Sequence, residues 1–378
     1  MASLRRPLLT LYEFAYTRIA SPLMFRQSAM DAHLRVIKLL ARLDHSAAAV
    51  GGMRVLRRVF YPSQPCEIGG VTLPNPLMLA AGFVKGTGFE SETDALAAVE
   101  RGENIIPGWR TMPALVGVVE FGSYTRHPRM GNSGVVLWRH VESKSLQNRV
   151  GLKNPGARAA AAFLAKHRAH LPPVYGINIA VSPGVTDPDQ ELREVVESAV
   201  MFLDAGITPS WFTLNLSCPN TDDDPAGHQT DAKTRLLCGA LVDLLRPHDI
   251  PLWVKVSPIS SVMQVQTLAQ AFADVGVRAV IATNTEAYPS PDDPTVNAGM
   301  SGGMLWRSAV GTSREFNRAA RRINVALDVI ACGGIQSGEQ FHKSGASVAQ
   351  YYTAMIYRGP LAGALILHEK EQWKQHNS

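Results

Sequence analysis

Cysteine is scarce in this chain: four in 378 residues, at Cys66, Cys218, Cys238 and Cys332. They form no CxxC pair and have no metal-ligand spacing with histidine, so no metal site is expected. Scattered thiols suit a reducing compartment better than a disulfide framework. The eleven histidines are scattered too, without an HExxH or comparable cluster. No stretch reaches the ~18–20 uncharged apolar residues that a spanning helix needs. A clean signal peptide is also missing, because Glu13 interrupts the first apolar run and no cleavage-like site follows. Charged residues make up only 18% of the chain against 46% hydrophobic, the balance of a globular protein with a large core. No nucleic-acid-binding motif is visible.

What charge there is lies unevenly. Residues 1–60 hold ten Lys/Arg against three acids, so this end carries +7 and the remaining 318 residues carry −2. A basic end on a near-neutral body points to an anionic surface for that end only. Nucleic acid is one such surface, but a membrane leaflet fits better because the same segment is apolar. One amphipathic stretch runs through Leu8, Leu9, Leu11, Tyr12, Phe14, Ala15, Tyr16 and Ile19, with Pro22 as a break. A second runs through Leu34, Ile37, Leu40 and Leu43, with Arg35, Lys38 and Arg42 between them. Their spacing is helical. It predicts a helix pair that either lies on a membrane or packs on the main domain. Residues 46–52, SAAAVGG, read as the linker between an N-terminal extension (1–60) and a main body (65–378).

From about residue 70, short β-type runs alternate with helical patterns. Strands are expected at 77–81, 116–122, 174–180, 211–216, 252–256, 279–283, 329–332 and 348–352. Helices are expected at 89–100, 157–167, 190–205, 231–245, 263–275, 308–323 and 360–375. This alternation predicts an α/β fold, a (β/α)8 TIM barrel carrying a small N-terminal amphipathic helical extension. Chemistry in such a barrel sits where strands end, and the informative residues fall there. Cys332-Gly333-Gly334-Ile335 and Tyr351-Tyr352-Thr353-Ala354 end the last two strands, the usual phosphate site of this architecture. The loop Ala298-Gly299-Met300-Ser301-Gly302-Gly303 is rich in backbone and suits a place beside the same phosphate. A bulky charged cofactor such as FMN fits, with its phosphate at strands seven and eight and its ring over the barrel mouth.

Asn215-Leu216-Ser217-Cys218-Pro219-Asn220-Thr221 follows the fourth expected strand. A thiolate can accept a proton, and carboxamides on either side suit a flat heterocycle with alternating C=O and N–H groups. A buried Cys beside a Pro turn is the plainer alternative. Plainer readings also exist for Lys255 (a strand-end ion pair), Asn178 (a turn cap) and Asn148 (a loop residue).

Taken in order, these motifs resemble those of dihydroorotate dehydrogenases over roughly residues 65–365. The matching segments are Pro74-Asn75-Pro76, Ala80-Ala81-Gly82-Phe83-Val84-Lys85, Glu120-Phe121-Gly122-Ser123-Tyr124-Thr125 with Gly131-Asn132, and Asn148-Arg149-Val150-Gly151-Leu152. They continue through Gly176-Ile177-Asn178, the Asn215 heptapeptide, Val254-Lys255, Thr283-Asn284-Thr285, Ser301-Gly302, Cys332-Gly333-Gly334-Ile335 and Tyr352-Thr353. The amphipathic extension resembles that of the membrane-associated, quinone-reducing branch. The resemblance implies FMN-dependent oxidation of dihydroorotate to orotate in pyrimidine biosynthesis, with electrons passed to membrane quinone. It implies Cys218 as the base. Lys85, Asn148, Gly151, Leu152, Asn215, Asn220, Asn284 and Thr285 would hold the substrate. Ala81, Gly82, Lys85, Ser123, Asn178, Asn215, Lys255, Thr283, Ser301, Gly302, Gly333, Gly334, Tyr352 and Thr353 would hold FMN, and Arg139 would face the quinone. It implies a peripheral membrane protein on the cytoplasmic side of the bacterial inner membrane, since no clear transit peptide favours the mitochondrial one.

Four features depart from the quinone-reducing pattern. Cys218 stands where that branch usually has Ser. Val84 and Gly86 replace polar neighbours of Lys85. Residues 101–114, RGENIIPGWRTMPA, read as an insertion before the second strand, covering the barrel's N-terminal mouth or an interface. Ala180-Val181-Ser182 follows Asn178 where Gly-Lys-Asn is usual. Other readings therefore stand beside the first: fumarate as acceptor, another dihydropyrimidine as substrate, or a diverged FMN-binding barrel without turnover. Residues 221–231, TDDDPAGHQTD, suit either a loop that closes over substrate or an ordinary solvated loop.

Overall fold

The computed structural model describes residues 2–216 and 230–377, with side chains over 5–216 and 230–373. Eight parallel strands close into a barrel in chain order: β1 (Leu77–Leu79), β2 (Val119–Tyr124), β3 (Tyr175–Ala180), β4 (Trp211–Asn215), β5 (Leu252–Val256), β6 (Ala279–Ala282), β7 (Asp328–Cys332) and β8 (Val348–Tyr351). Strands enclosed on both faces must be apolar nearly throughout, and β3 and β5 are buried at every position. Helices Ala157–Lys166, Pro188–Asp204, Asp231–Leu245, Val262–Val275 and Trp306–Arg322 pack around the outside. The second strand begins three residues later than its sequence suggests. Residues Thr111–Val116 form a short buried helix that ends at Gly117, whose φ of 92° suits glycine.

The N-terminal end of the barrel is plugged by a hairpin, Cys66–Ile68 and Val71–Leu73. Trp253 donates its indole N–H to Gly69 O at 3.0 Å, and Trp211 stacks on Trp253 with ring centroids 4.3 Å apart. Each fully buried Trp removes ~200 Å² from water, worth about 5 kcal/mol in transfer free energy. The opposite end carries a four-stranded antiparallel side sheet, in the order Glu286–Pro289, Asn297–Gly302, Ser145–Asn148, Leu137–His140. Its strands come from the connections after β2 and β6, so it stands beside the mouth where the barrel strands end.

Residues 2–60 are helical almost throughout: α1 (Ala2–Ala15), a wider π-type turn (Tyr16–Ala20), α2 (Ser21–Phe25), α3 (Ala29–Asp44) and α4 (Ala47–Phe60). Pro22 does not break the path. It sits in the first turn of α2, where its missing N–H is not needed. The 46–52 segment is not a linker. Ser46 caps α4 by accepting from Ala49 N at 3.1 Å, and Val50 is buried. The barrel holds α1 through Tyr12 Oη, which donates to Arg358 O at 3.1 Å, and Tyr16 Oη, which donates to Ile356 O at 3.0 Å. Arg358 also reaches Glu13 at 2.7 Å.

The outer side of these helices remains apolar. Among the described residues, eleven of the eighteen exposed large hydrophobic side chains lie within residues 8–59, including Leu8, Leu11, Phe14, Ile19 and Leu23. Such concentration in one segment marks an interaction surface. No helix among the described residues is long and apolar enough to cross a membrane.

Candidate active site

The strand ends of the barrel, the side sheet and α3 enclose one cleft of about 1220 Å³, measured out to bulk solvent. Its floor and walls include Ala81, Gly82, Lys85, Ser123, Asn215, Lys255, Thr283, Gly333, Gly334, Tyr352 and Thr353 from the barrel strands and the connections that follow them. Asn148, Leu152, Ser301 and Gly302 come from the side sheet and its flanks, and Asn284 and Thr285 follow β6. Three residues named from the sequence do not line it: Gly151, Asn178 and Arg139. Cys218 and Asn220 lie outside the described residues.

A line of polar side chains crosses the barrel beneath the cleft. Lys255 Nζ donates to Gln350 Oε1 at 3.2 Å. Gln350 Nε2 donates to Glu120 Oε2, and Asn178 Nδ2 donates to Glu120 Oε1 at 2.8 Å. These residues come from four different strands of the closed barrel, β5, β8, β2 and β3. Glu120 is fully buried and Lys255 is 5% exposed, and no carboxylate among the described residues lies within ion-pair distance of the lysine. The amide of Gln350 therefore separates two buried charges of opposite sign, while Lys255 turns its ammonium toward the cleft. Asn178 is thus neither a turn cap nor part of the cleft wall; it is one of the carboxylate's two partners.

The asparagines gather from three directions. Asn215 Nδ2 donates to Ser123 Oγ at 3.3 Å, and Asn284 Nδ2 donates to Asn215 Oδ1 at 3.3 Å. Asn284 Oδ1 accepts from Thr285 N at 2.9 Å, which fixes which way that amide faces. Asn148, in the side sheet, donates to Gly299 O at 3.3 Å. None of these groups ionises, so they can orient a polar ring without competing for its protons.

The residues present fit a phosphate-bearing cofactor. Gly333 and Gly334 turn at φ of 107° and 72°. A Cβ on Gly333 would lie 2.7 Å from Ala309 Cβ, and one on Gly334 would lie 2.8 Å from Trp306. Only backbone can line the cleft there, and backbone N–H groups are what a phosphate needs. Ser301 and Thr353 hydroxyls meet at 3.0 Å beside them. Shielded atoms of cleft-lining residues, among them Thr285 Oγ1 and Gln336 Oε1, have no partner among the described residues, as expected where a polar guest supplies one. Burial raises the Cys332 thiol above its ordinary range, with the nearby Lys255 ammonium opposing the shift. Cys332 is therefore a neutral wall residue at neutral pH.

Among the described residues, one residue of the extension reaches the cleft. His33, on α3, lines the cleft. Burial, then the charges of Lys85 and Lys153, push its imidazole down to about 4, so it is neutral at pH 7. Arg139 lies outside the cleft, where its guanidinium covers the Phe25 ring of α2 at 4.4 Å and donates to Gln27 O. Sequence reasoning missed His33, Glu120 and Gln350. His33 sits on a helix whose other residues read as amphipathic surface, and Glu120 and Gln350 sit inside strands where a polar residue signals nothing until the closed barrel brings the pair together.

Residues 65–372 match the profile of the family described as dihydroorotate dehydrogenase. A "Dihydroorotate dehydrogenase (quinone)" of Thermobifida fusca is 32% identical over 372 residues, covering 93% of this chain and 89% of that protein. Its namesake in Methylococcus capsulatus is 31% identical over 358 residues, covering 91% and 96%. A third, from Mycobacterium marinum, is 32% identical over 339 residues, covering 86% of each. The ligand-free DHODH of Eimeria tenella shares the fold, with a TM-score of 0.69 at 21% identity over 87% of this chain and 94% of that one.

Proposed function

The chain belongs to the dihydroorotate dehydrogenase family, and on that premise we propose that its cleft oxidises dihydroorotate to orotate in pyrimidine biosynthesis and passes the electrons to a quinone. The observation that carries this reading is the convergence of Lys85, Asn148, Asn215, Asn284 and Lys255 in one cleft whose wall includes His33 of the extension.

When bound, FMN supplies the acceptor for the substrate's C6 hydride. Gly302, Gly333, Gly334, Tyr352 and Thr353 would hold its phosphate by backbone and hydroxyl groups. Ala81, Gly82, Ser123 and Thr283 would form the wall against the rest of the cofactor. Lys255, held by Gln350, would supply a buried positive charge that favours the reduced, anionic flavin. Asn178 acts one layer down, by holding Glu120. Asn148, Asn215, Asn284 and Asn220 orient the pyrimidine, with Thr285, Leu152 and Gly151 alongside, and Lys85 meets its carboxylate. Cys218 takes the C5 proton. A free thiol with pKa ~8.5 is only ~3% ionised at pH 7, so a cation in the same cleft raises the working fraction. Cys218 lies outside the described residues, and its role rests on the sequence.

Quinone enters from the side of the extension, past Arg139 and His33. The exposed apolar side chains of α1–α4, with their excess of basic residues, rest on the anionic cytoplasmic leaflet of a bacterial inner membrane. Cys218 in place of Ser favours a second reading, with fumarate as acceptor. Steady-state turnover of dihydroorotate with a short-chain ubiquinone or menaquinone analogue, or with fumarate, separates the two. Quinone-dependent orotate formation is expected; turnover with fumarate alone contradicts the quinone assignment.

A further inference from the structure

Of the two places expected for residues 101–114, the N-terminal mouth or an interface, the contacts support an interface. These residues form a receptor for the end of α3. Asp44, the last residue of that helix, is 2% exposed. Its Oδ2 accepts from Gly108 N at 2.7 Å and Asn104 Nδ2 at 2.8 Å. Its Oδ1 accepts from Thr111 Oγ1 at 2.6 Å, Thr111 N at 2.9 Å and Arg110 N at 3.3 Å. Five donors from one eight-residue stretch surround a single carboxylate, and among the described residues no cation forms an ion pair with it. A Cβ on Gly108 (φ 89°) would lie 3.3 Å from Leu40 of α3 and 3.7 Å from Val84. The same stretch supports the segment behind Lys85, where Thr87 N donates to Ile105 O at 2.9 Å. The helix that Asp44 anchors carries His33, whereas Thr87, beyond Lys85, is held by the Ile105 carbonyl and not by Asp44.

We propose that Asp44 is a positioning residue for the quinone half-reaction: seated in residues 104–111, it holds α3 so that His33 forms the cleft wall. The inference rests on the quinone reading above. It also accounts for Val84, since an apolar side chain there packs against the receptor where a polar one would be buried.

The test uses the full-length, FMN-loaded protein and the variants Asp44→Asn, Thr111→Val and Thr111→Ser. Asp44→Asn keeps the shape but turns an NH2 toward backbone N–H donors. Its quinone KM is expected to rise at least fivefold, with less than a twofold change in kcat or in the rate at which dihydroorotate bleaches the flavin. Thr111→Val, which loses one hydroxyl bond, is expected to show a smaller rise if Asp44→Asn fails to fold, and Thr111→Ser is expected to restore the original KM. Amide exchange in α3 should quicken in the order of the KM values. An unchanged quinone KM in folded Asp44→Asn or Thr111→Val overturns the proposal. Equal losses in both half-reactions also overturn it, because they mark a general structural role. If the unaltered protein reduces no quinone, the quinone reading falls and this inference with it; normal quinone reduction with indifferent variants sinks this inference alone.

Discussion

His33 should make the protein's stability unusually sensitive to mild acid. Burial, then Lys85 and Lys153, lower its imidazole from an ordinary 6.5 to about 4. Above pH 6.5 the ring is neutral in both folded and unfolded chains and contributes nothing to the difference. Between pH 6.5 and 4 the unfolded chain takes up a proton that the folded chain declines, so stability is lost across that window. At pH 5 the ring would be ~97% protonated unfolded and ~9% protonated folded, worth about 2 kcal/mol relative to pH 7.5. Solvent around a half-buried ring screens part of this, leaving about 1–2 kcal/mol. Urea unfolding of the protein and of His33→Asn, each at pH 7.5 and pH 5, isolates the effect from that of other titrating groups. The original chain should lose about 1–2 kcal/mol more than the variant between the two pH values. Equal losses would refute the argument that α3 carries an uncharged histidine into a cationic cleft. The same neutrality implies a quinone KM without a histidine-like titration between pH 6 and 8.

The remaining expectations concern separate steps. Cys218→Ser should slow flavin reduction by dihydroorotate at least tenfold at pH 7 and recover as pH rises; stopped-flow traces across pH test this, and an unchanged pH profile counts against Cys218 as the base. Lys255→Met removes the buried cation beneath the cleft and should slow flavin reduction by roughly 10²-fold while making the flavin potential more negative, which redox titration reads. Replacing Leu11 and Phe14 with Asp removes two exposed apolar side chains, each worth ~1.5–3 kcal/mol if inserted. Sedimentation with anionic vesicles should fall at least tenfold, with turnover of a soluble quinone analogue retained.

The barrel was legible because its signal is repetitive. Eight short apolar runs separated by helical patterns admit few other architectures, and strands buried on both faces cannot hide a polar residue cheaply. Val116 was misplaced because an apolar residue at a helix end looks the same as one at a strand start; Gly117 marks the difference only once its positive φ is seen. Residues 46–52 misled for a related reason. Small residues and a Gly pair read as a linker, yet Ser46 supplies a cap and burial of Val50 holds the helix. Much of the cleft could be named from residues at strand ends. What remained hidden depends on contacts between distant segments: Glu120 with Gln350, His33 with the cleft, and Asp44 with residues 104–111. No local pattern encodes such pairs, because their partners lie tens to hundreds of positions away. The resemblance gave Asn178 a cofactor role, and the structure adds its hydrogen bond to Glu120.

The central claim is that this cleft takes a hydride from dihydroorotate. Anaerobic mixing of the flavin-loaded protein with dihydroorotate, following the oxidised flavin band, tests it most directly. Rapid bleaching with one orotate formed per flavin is the expected result, and a band that persists at saturating dihydroorotate would contradict the substrate assignment.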